Sequence, residues 1–145
     1  MYYNRINNKK GEMYMATKTK TRNRYYNPNP LKKETGDCVV RAMCKATGKE
    51  WDEVYSELYN IGFELKVMPN CDDAWKQFLI NNGFTYNKLT IKRGSKRPKV
   101  SEFAKDNKKG TFVLRVANHL VTLEDGFYYD LWDSGSCSMY GYWSK

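Results

Sequence analysis

Cys38 follows Asp37 where a helix is expected to begin, and the single histidine of the chain, His119, opens a later run of strand-forming residues. The two stand in Thr35-Gly36-Asp37-Cys38-Val39-Val40-Arg41-Ala42 and in Val116-Ala117-Asn118-His119-Leu120-Val121-Thr122-Leu123. A thiolate, not a thiol, is the nucleophile, so a reactive cysteine needs help to ionise. A helix N-terminus supplies that help through unpaired N–H groups and a partial positive charge. The same N–H groups are placed to hold the oxyanion of a tetrahedral intermediate. An imidazole within hydrogen-bond reach then exchanges the proton, and a third group orients the imidazole. A free cysteine alone is commonly a buried, inert residue. The order of Cys, His and carboxylate along the chain gives the pattern its meaning.

The carboxylate is sought around Asp125-Gly126, a hairpin turn signal. With a two-residue loop His119 faces Trp132, and Asp130 lies diagonally away on the same face. With a three-residue loop His119 faces Asp133. One residue of slip turns every side chain to the other face, so geometry alone leaves both Asp130 and Asp133 open.

The elements that must position these residues read as helices first and strands second. A helix is expected over 38–47, with Asp37 as N-cap and Gly48 as stop. A second is expected over 51–61, closed by Gly62. Its Trp51, Val54, Tyr55, Leu58 and Ile61 recur at helical spacing. A third covers 72–81, with Asn70 near its cap and Ala74, Trp75, Phe78 and Leu79 inward. Strand patterns follow at 84–91, 111–116, 119–123 and 127–132, with a last edge strand at 140–143. A short helix is expected near 100–105. This order predicts an α+β domain, with N-terminal helices packed on a C-terminal antiparallel sheet. The aromatic residues of helices and strands are expected in the core. Trp132, Tyr140, Tyr142 and Trp143 are further candidates to line a groove. Cys44, less than two turns beyond Cys38, is expected to face away from it.

The net charge is +9, from 25 Lys and Arg against 16 Asp and Glu. Much of the excess lies before residue 34, and a second cluster is Lys92-Arg93-Gly94-Ser95-Lys96-Arg97-Pro98-Lys99. Such charge is either a solvated surface or an attraction for polyanions such as nucleic acid. Residues 1–26 are expected to form a basic, flexible arm, and 27–145 the folded domain. Lys9-Lys10-Gly11-Glu12 resembles the translation of a ribosome-binding site, which makes Met15 a candidate start. No secretory pattern and no membrane-length apolar run is read, so the cysteines are expected to be reduced in a cytoplasm. No metal site is expected, because one histidine and four scattered cysteines lack ligand spacing. No cofactor is expected either.

The order Cys on the first core helix, His at the start of a strand and Asp at the end of the next resembles papain-like cysteine peptidases. Asn118-His119-Leu120-Val121 resembles the histidine segment of that family. Trp132-Asp133-Ser134-Gly135 resembles the place of its orienting residue, which selects Asp133. Residues 27–145 also resemble small phage and bacterial proteins that share Gly-Asp-Cys-Val-Val-Arg-Ala, Trp-Asp-Glu-Val-Tyr and Tyr-Gly-Tyr-Trp segments, here 36–42, 51–55 and 140–143. The resemblance implies a papain-like fold and a thiol hydrolase with catalytic Cys38, His119 and Asp133, acting on a peptide or protein in the cytoplasm of a phage host or in a virion. It also implies a Gln six residues before the nucleophile, where this chain has Lys32. Lys32, Asn29 or a backbone N–H would then have to serve the oxyanion. The departure keeps a second expectation alive. In it the fold is catalytically silent and binds nucleic acid, or a phage or host protein, through its basic arm and loop.

Overall fold

The computed structural model describes residues 4–7, 13–16 and 20–145. The expectations placed on residues 8–12, including the ribosome-binding-site reading, lie outside the described residues. The chain order is β1 (Asn4–Asn7), β2 (Met13–Ala16), β3 (Asn23–Tyr25), α1 (Cys38–Thr47), α2 (Trp51–Leu65), α3 (Asp72–Asn81), β4 (Thr85–Lys88), α4 (Val100–Asp106), β5 (Thr111–Val116), β6 (His119–Glu124), β7 (Phe127–Asp130) and β8 (Gly141–Ser144). A 3₁₀ turn over Ser134–Ser136 links β7 to β8. The class is α+β.

β1 and β2 pair with each other, and the other six strands form one sheet in the order β3-β7-β6-β5-β8-β4. The sheet is mixed rather than antiparallel, because β3 runs parallel to β7 with Asn23 facing Tyr128. The expected boundary at residue 26 therefore falls inside the folded unit, since the end of the basic arm supplies an edge strand. The last strand, β8, is not an edge, because β4 pairs outside it. Its Trp143 is accordingly buried among core residues.

Both faces of the sheet are covered. On one, Val113, Leu120 and Trp143 pack with Val40, Met43, Leu58, Phe78 and Leu79 of the first three helices. On the other, Leu114, Val116, Val121, Leu123 and Tyr128 pack with Val100 and Ala104 of α4 and with Met139. This alternation is the period of two that a strand imposes. Coverage on both sides explains why the four central residues of β6 are all buried.

Helix α2 runs a turn beyond the expected stop at Gly62. A Cβ on Gly62 would sit 2.7 Å from the Val67 carbonyl oxygen and 3.2 Å from the Pro69 nitrogen. Gly62 is thus needed for the close return of the chain, and Lys66, at φ 59°, ends the helix. Among the described residues no helix is long and apolar enough to cross a membrane.

Candidate active site

Cys38 is the first residue of α1. The first helical hydrogen bond runs from the Arg41 N–H to the Asp37 carbonyl at 2.9 Å. The N–H groups of Cys38, Val39 and Val40 therefore find no backbone acceptor among the described residues. Asp37 does not cap them with its side chain, contrary to expectation. Its carboxylate is taken by two other donors, the charged Arg41 Nη1 at 2.6 Å and Trp51 Nε1 at 2.9 Å.

His119 opens β6 directly after the Ala117-Asn118 turn that joins it to β5, where Val116 faces His119. Asn118 sits at φ 52°, a left-handed conformation that asparagine tolerates better than most residues. The next hairpin has the two-residue loop. Asp125 and Gly126 take φ 50° and 81°, and Leu123 faces Tyr128. Positive φ at both loop positions matches the twist of the flanking strands. In this register Asp130 is diagonal to His119 on the same face.

His119 Nε2 meets Asp130 Oδ2 at 2.5 Å. The Cys38 thiol lies close enough to the His119 ring for each to shift the other's ionisation, though short of strict hydrogen-bond geometry; with Nε2 on Asp130, Nδ1 is the ring nitrogen left to face the sulfur. The structure thus brings together Cys38 and His119 as expected, but not Asp133. The Asp133 carboxylate accepts from the Tyr128 hydroxyl at 2.6 Å and from the Gly135 N–H at 3.0 Å. The physical reason is the hairpin register: β7 ends at Asp130, and the chain then bends into the 3₁₀ turn that Asp133 caps.

Asp130 is fully buried and well supplied with donors. Oδ1 accepts from the Leu131 N–H at 2.8 Å and from Arg41 Nη2 at 3.2 Å. The buried Ser134 hydroxyl lies close enough to help hold the charge, though short of strict hydrogen-bond geometry. Arg41, only 4% exposed, therefore bridges Asp37 at the start of the Cys38 helix to Asp130 at the end of β7. The sequence alone leaves Arg41 as an aid to the thiolate, a ligand for a substrate carboxylate or a surface ion pair; it is a buried ion pair, and its charge also helps to hold the Cys38 thiol down. Its i,i+4 spacing from Asp37 was visible; its partner 89 positions away had no local signal.

These contacts set the ionisation of the site. Burial alone would raise the Cys38 thiol. The neighbouring His119 ring, the Leu120 N–H and the positive charges of His119 and Arg41 overcome burial and hold the thiol below its usual value. Burial alone would lower His119, but the hydrogen bond and charge of Asp130, together with the neighbouring Cys38, raise it to about 9. Burial likewise opposes ionisation of Asp130, and His119 with the Leu131 N–H holds it down. The other thiols behave differently. Cys44 is pushed up to about 12, first by burial and then by Asp37 and Glu50. Cys137 is pushed up by burial and by Asp130.

Cys38 and His119 open into a cleft of about 730 Å³, also lined by Trp75, Tyr86, Arg115 and Tyr140. A smaller hollow of about 220 Å³ adjoins it, sharing Gly36, Val39 and Asn70 and walled by Trp51, Tyr55 and Met68. The Trp132 ring lies 5.2 Å from that of His119 and shields it on one side. Neither Lys32 nor Asn29 is among the residues that line the cleft. Lys32 Nζ donates to the Asn27 carbonyl at 3.2 Å, and Asn29 Oδ1 accepts from the Leu31 N–H at 3.0 Å. The backbone N–H of Cys38 is the donor that remains of those considered. Among the described residues no three His, Cys, Asp or Glu side chains are grouped as metal ligands. Comparison with family models, with curated proteins and with solved structures found no match to this chain.

Proposed function

We propose that the protein is a cysteine hydrolase of papain-like architecture, cleaving a peptide, isopeptide or other amide bond. The observation that carries this reading is the juxtaposition, in one cleft, of Cys38 with a His119 ring that is itself hydrogen-bonded to buried Asp130. A structural cysteine has no need of a neighbouring imidazole that is itself held by a buried carboxylate.

The Cys38 thiolate attacks the carbonyl carbon and forms the C–S bond. The carbonyl electron pair moves to oxygen, and the Cys38 N–H at the helix start stabilises that oxyanion. His119 passes its Nδ1 proton to the departing nitrogen as the C–N bond breaks, leaving a thioester. The neutral imidazole then takes a proton from water. The resulting hydroxide attacks the thioester, and the thiolate leaves with the acid product released. Asp130 holds the imidazole in orientation and stabilises its charged form, as a carboxylate does when bonded to the far ring nitrogen.

A second reading is a silent member of the same architecture that only binds. Lys32 favours it, because its amine is drawn to Asn27 and supplies no side-chain donor to the oxyanion. Two measurements separate the readings. Labelling of Cys38 by an activity probe at neutral pH, lost in His119→Ala, shows an activated thiol. Release of amine from a peptide library by wild type but not by Cys38→Ser shows turnover. An activated thiol without turnover selects the binding reading.

A further inference from the structure

We propose that the substrate segment entering the Cys38 cleft is acidic and is received by a basic rim built from 88–99. This rests on the cysteine-hydrolase reading and names its substrate class. Lys88, Lys92, Arg93, Lys96, Arg97 and Lys99 are all exposed, and 88–101 contains no acidic residue. Among the described residues none of these six side chains forms a salt bridge, whereas Lys45, Lys49, Lys76 and Arg115 all do. The loop is also fixed relative to the cleft. A turn closes from the Ser95 N–H to the Lys92 carbonyl at 2.9 Å. Pro98 accepts from the Met139 N–H at 2.9 Å, and Lys99 pairs with Ser138. The same segment carries Tyr140, a wall of the cleft, and the Arg97 guanidinium lies 4.2 Å over its ring. At least one unpaired cation is therefore held at the mouth.

The acid inside the cleft does not oppose this. Asp72 is neutralised by Arg115 at 2.7 Å and by Lys76 at 3.5 Å. Arg97 at the mouth, continued in the chain by the exposed Lys92, Arg93, Lys96 and Lys99, gives a positive field beside a concave site, which concentrates anionic ligands there. The nucleophile selects among polyanions. A thiolate forms acyl intermediates on carbonyl carbon, so the anion continuous with its substrate is a run of Asp and Glu side chains. Nucleic acid offers no carbonyl for that attack.

The test uses the full chain and a charge-reversed variant, Arg93→Glu/Lys96→Glu/Arg97→Glu, checked for an unchanged circular dichroism spectrum. Fluorescent Glu/Ala and Lys/Ala peptides of equal length are titrated by anisotropy, with a single-stranded DNA oligomer as third ligand. Iodoacetamide alkylation of Cys38 is followed in parallel, with each peptide present and absent. The Glu/Ala peptide binds at low salt about tenfold or more tightly than to the variant. It loses that advantage near 1 M salt, where the Debye length is about 3 Å, and slows alkylation of Cys38. Equal binding of both peptides, or acidic binding that the variant keeps, overturns the proposal. So does DNA binding that depends on the loop and exceeds that of the acidic peptide. Failure of Cys38 to react at all is a separate result, and it removes the hydrolase reading on which the proposal rests.

Discussion

Asp130 uses both carboxylate oxygens, Oδ2 on His119 and Oδ1 on Arg41 and the Leu131 N–H, with no exposure to water. Asp130→Asn keeps the shape and removes the charge. His119 should then fall from about 9, and the amide cleavage proposed for the site should drop about 100-fold or more, in the range of lost general acid–base catalysis. His119 is the sole histidine of the chain, so its ring protons give one readable NMR titration. Asp133→Asn is the contrast. It weakens charge-assisted bonds to Tyr128 and Gly135, costs about 1.5–3 kcal/mol of stability, and leaves the His119 titration in place. Arg41 is a positioning residue. Arg41→Met strands two carboxylates in the interior and should cost about 3–5 kcal/mol, read by denaturant unfolding. Arg41→Lys keeps the charge without the fork, and it should partly restore both the stability and the His119 titration.

The elements show what was legible in the sequence and what was not. The 38–47 helix, the 72–81 helix and the 111–116 strand formed at their expected bounds, because periodicity and Gly punctuation act locally. The Asp125-Gly126 turn was equally legible, and its two-residue form is one of the two registers the sequence left open. The choice of Asp133 followed a resemblance of segments. It failed because a chain bend after β7, invisible to local pattern, turns Asp133 toward Tyr128. The parallel pairing of β3 and the interior position of β8 were also illegible, since each depends on partners more than 50 residues away. Gly62 was read as a stop and is instead a contact point, which yields a signed prediction. In an open helix Gly→Ala gains about 1 kcal/mol. Here the new Cβ meets backbone oxygen at 2.7 Å, so Gly62→Ala should lower stability by about 1–3 kcal/mol, the cost of overpacking.

At the scale of the whole molecule, the helical layer brings the start of α1 to the start of β6, and the cleft lies where the two meet. The ionisation of that junction makes stability depend on pH. Asp130 is held low in the fold, so its contribution is present above its unfolded value and is lost as pH falls through the folded one. His119 is raised to about 9, so its contribution is complete below its unfolded value near 6.5 and fades as pH rises toward 9. Cys38 is lowered, so it gains over part of that alkaline window and offsets the loss. Cys38→Ser removes that offset and also part of what raises His119, so the variant should lose stability more steeply than wild type just above pH 6.5, at up to about 1.4 kcal/mol per pH unit, and complete the loss below pH 9. The most direct test of the central claim is the pH profile of alkylation at each cysteine, followed by mass spectrometry. The Cys38–His119–Asp130 account predicts that Cys38 reacts fastest near neutral pH, with a midpoint below that of an ordinary thiol, and that His119→Ala slows it about tenfold or more. A Cys38 that reacts no faster than Cys71 or Cys137, and that is unchanged by His119→Ala, would contradict it.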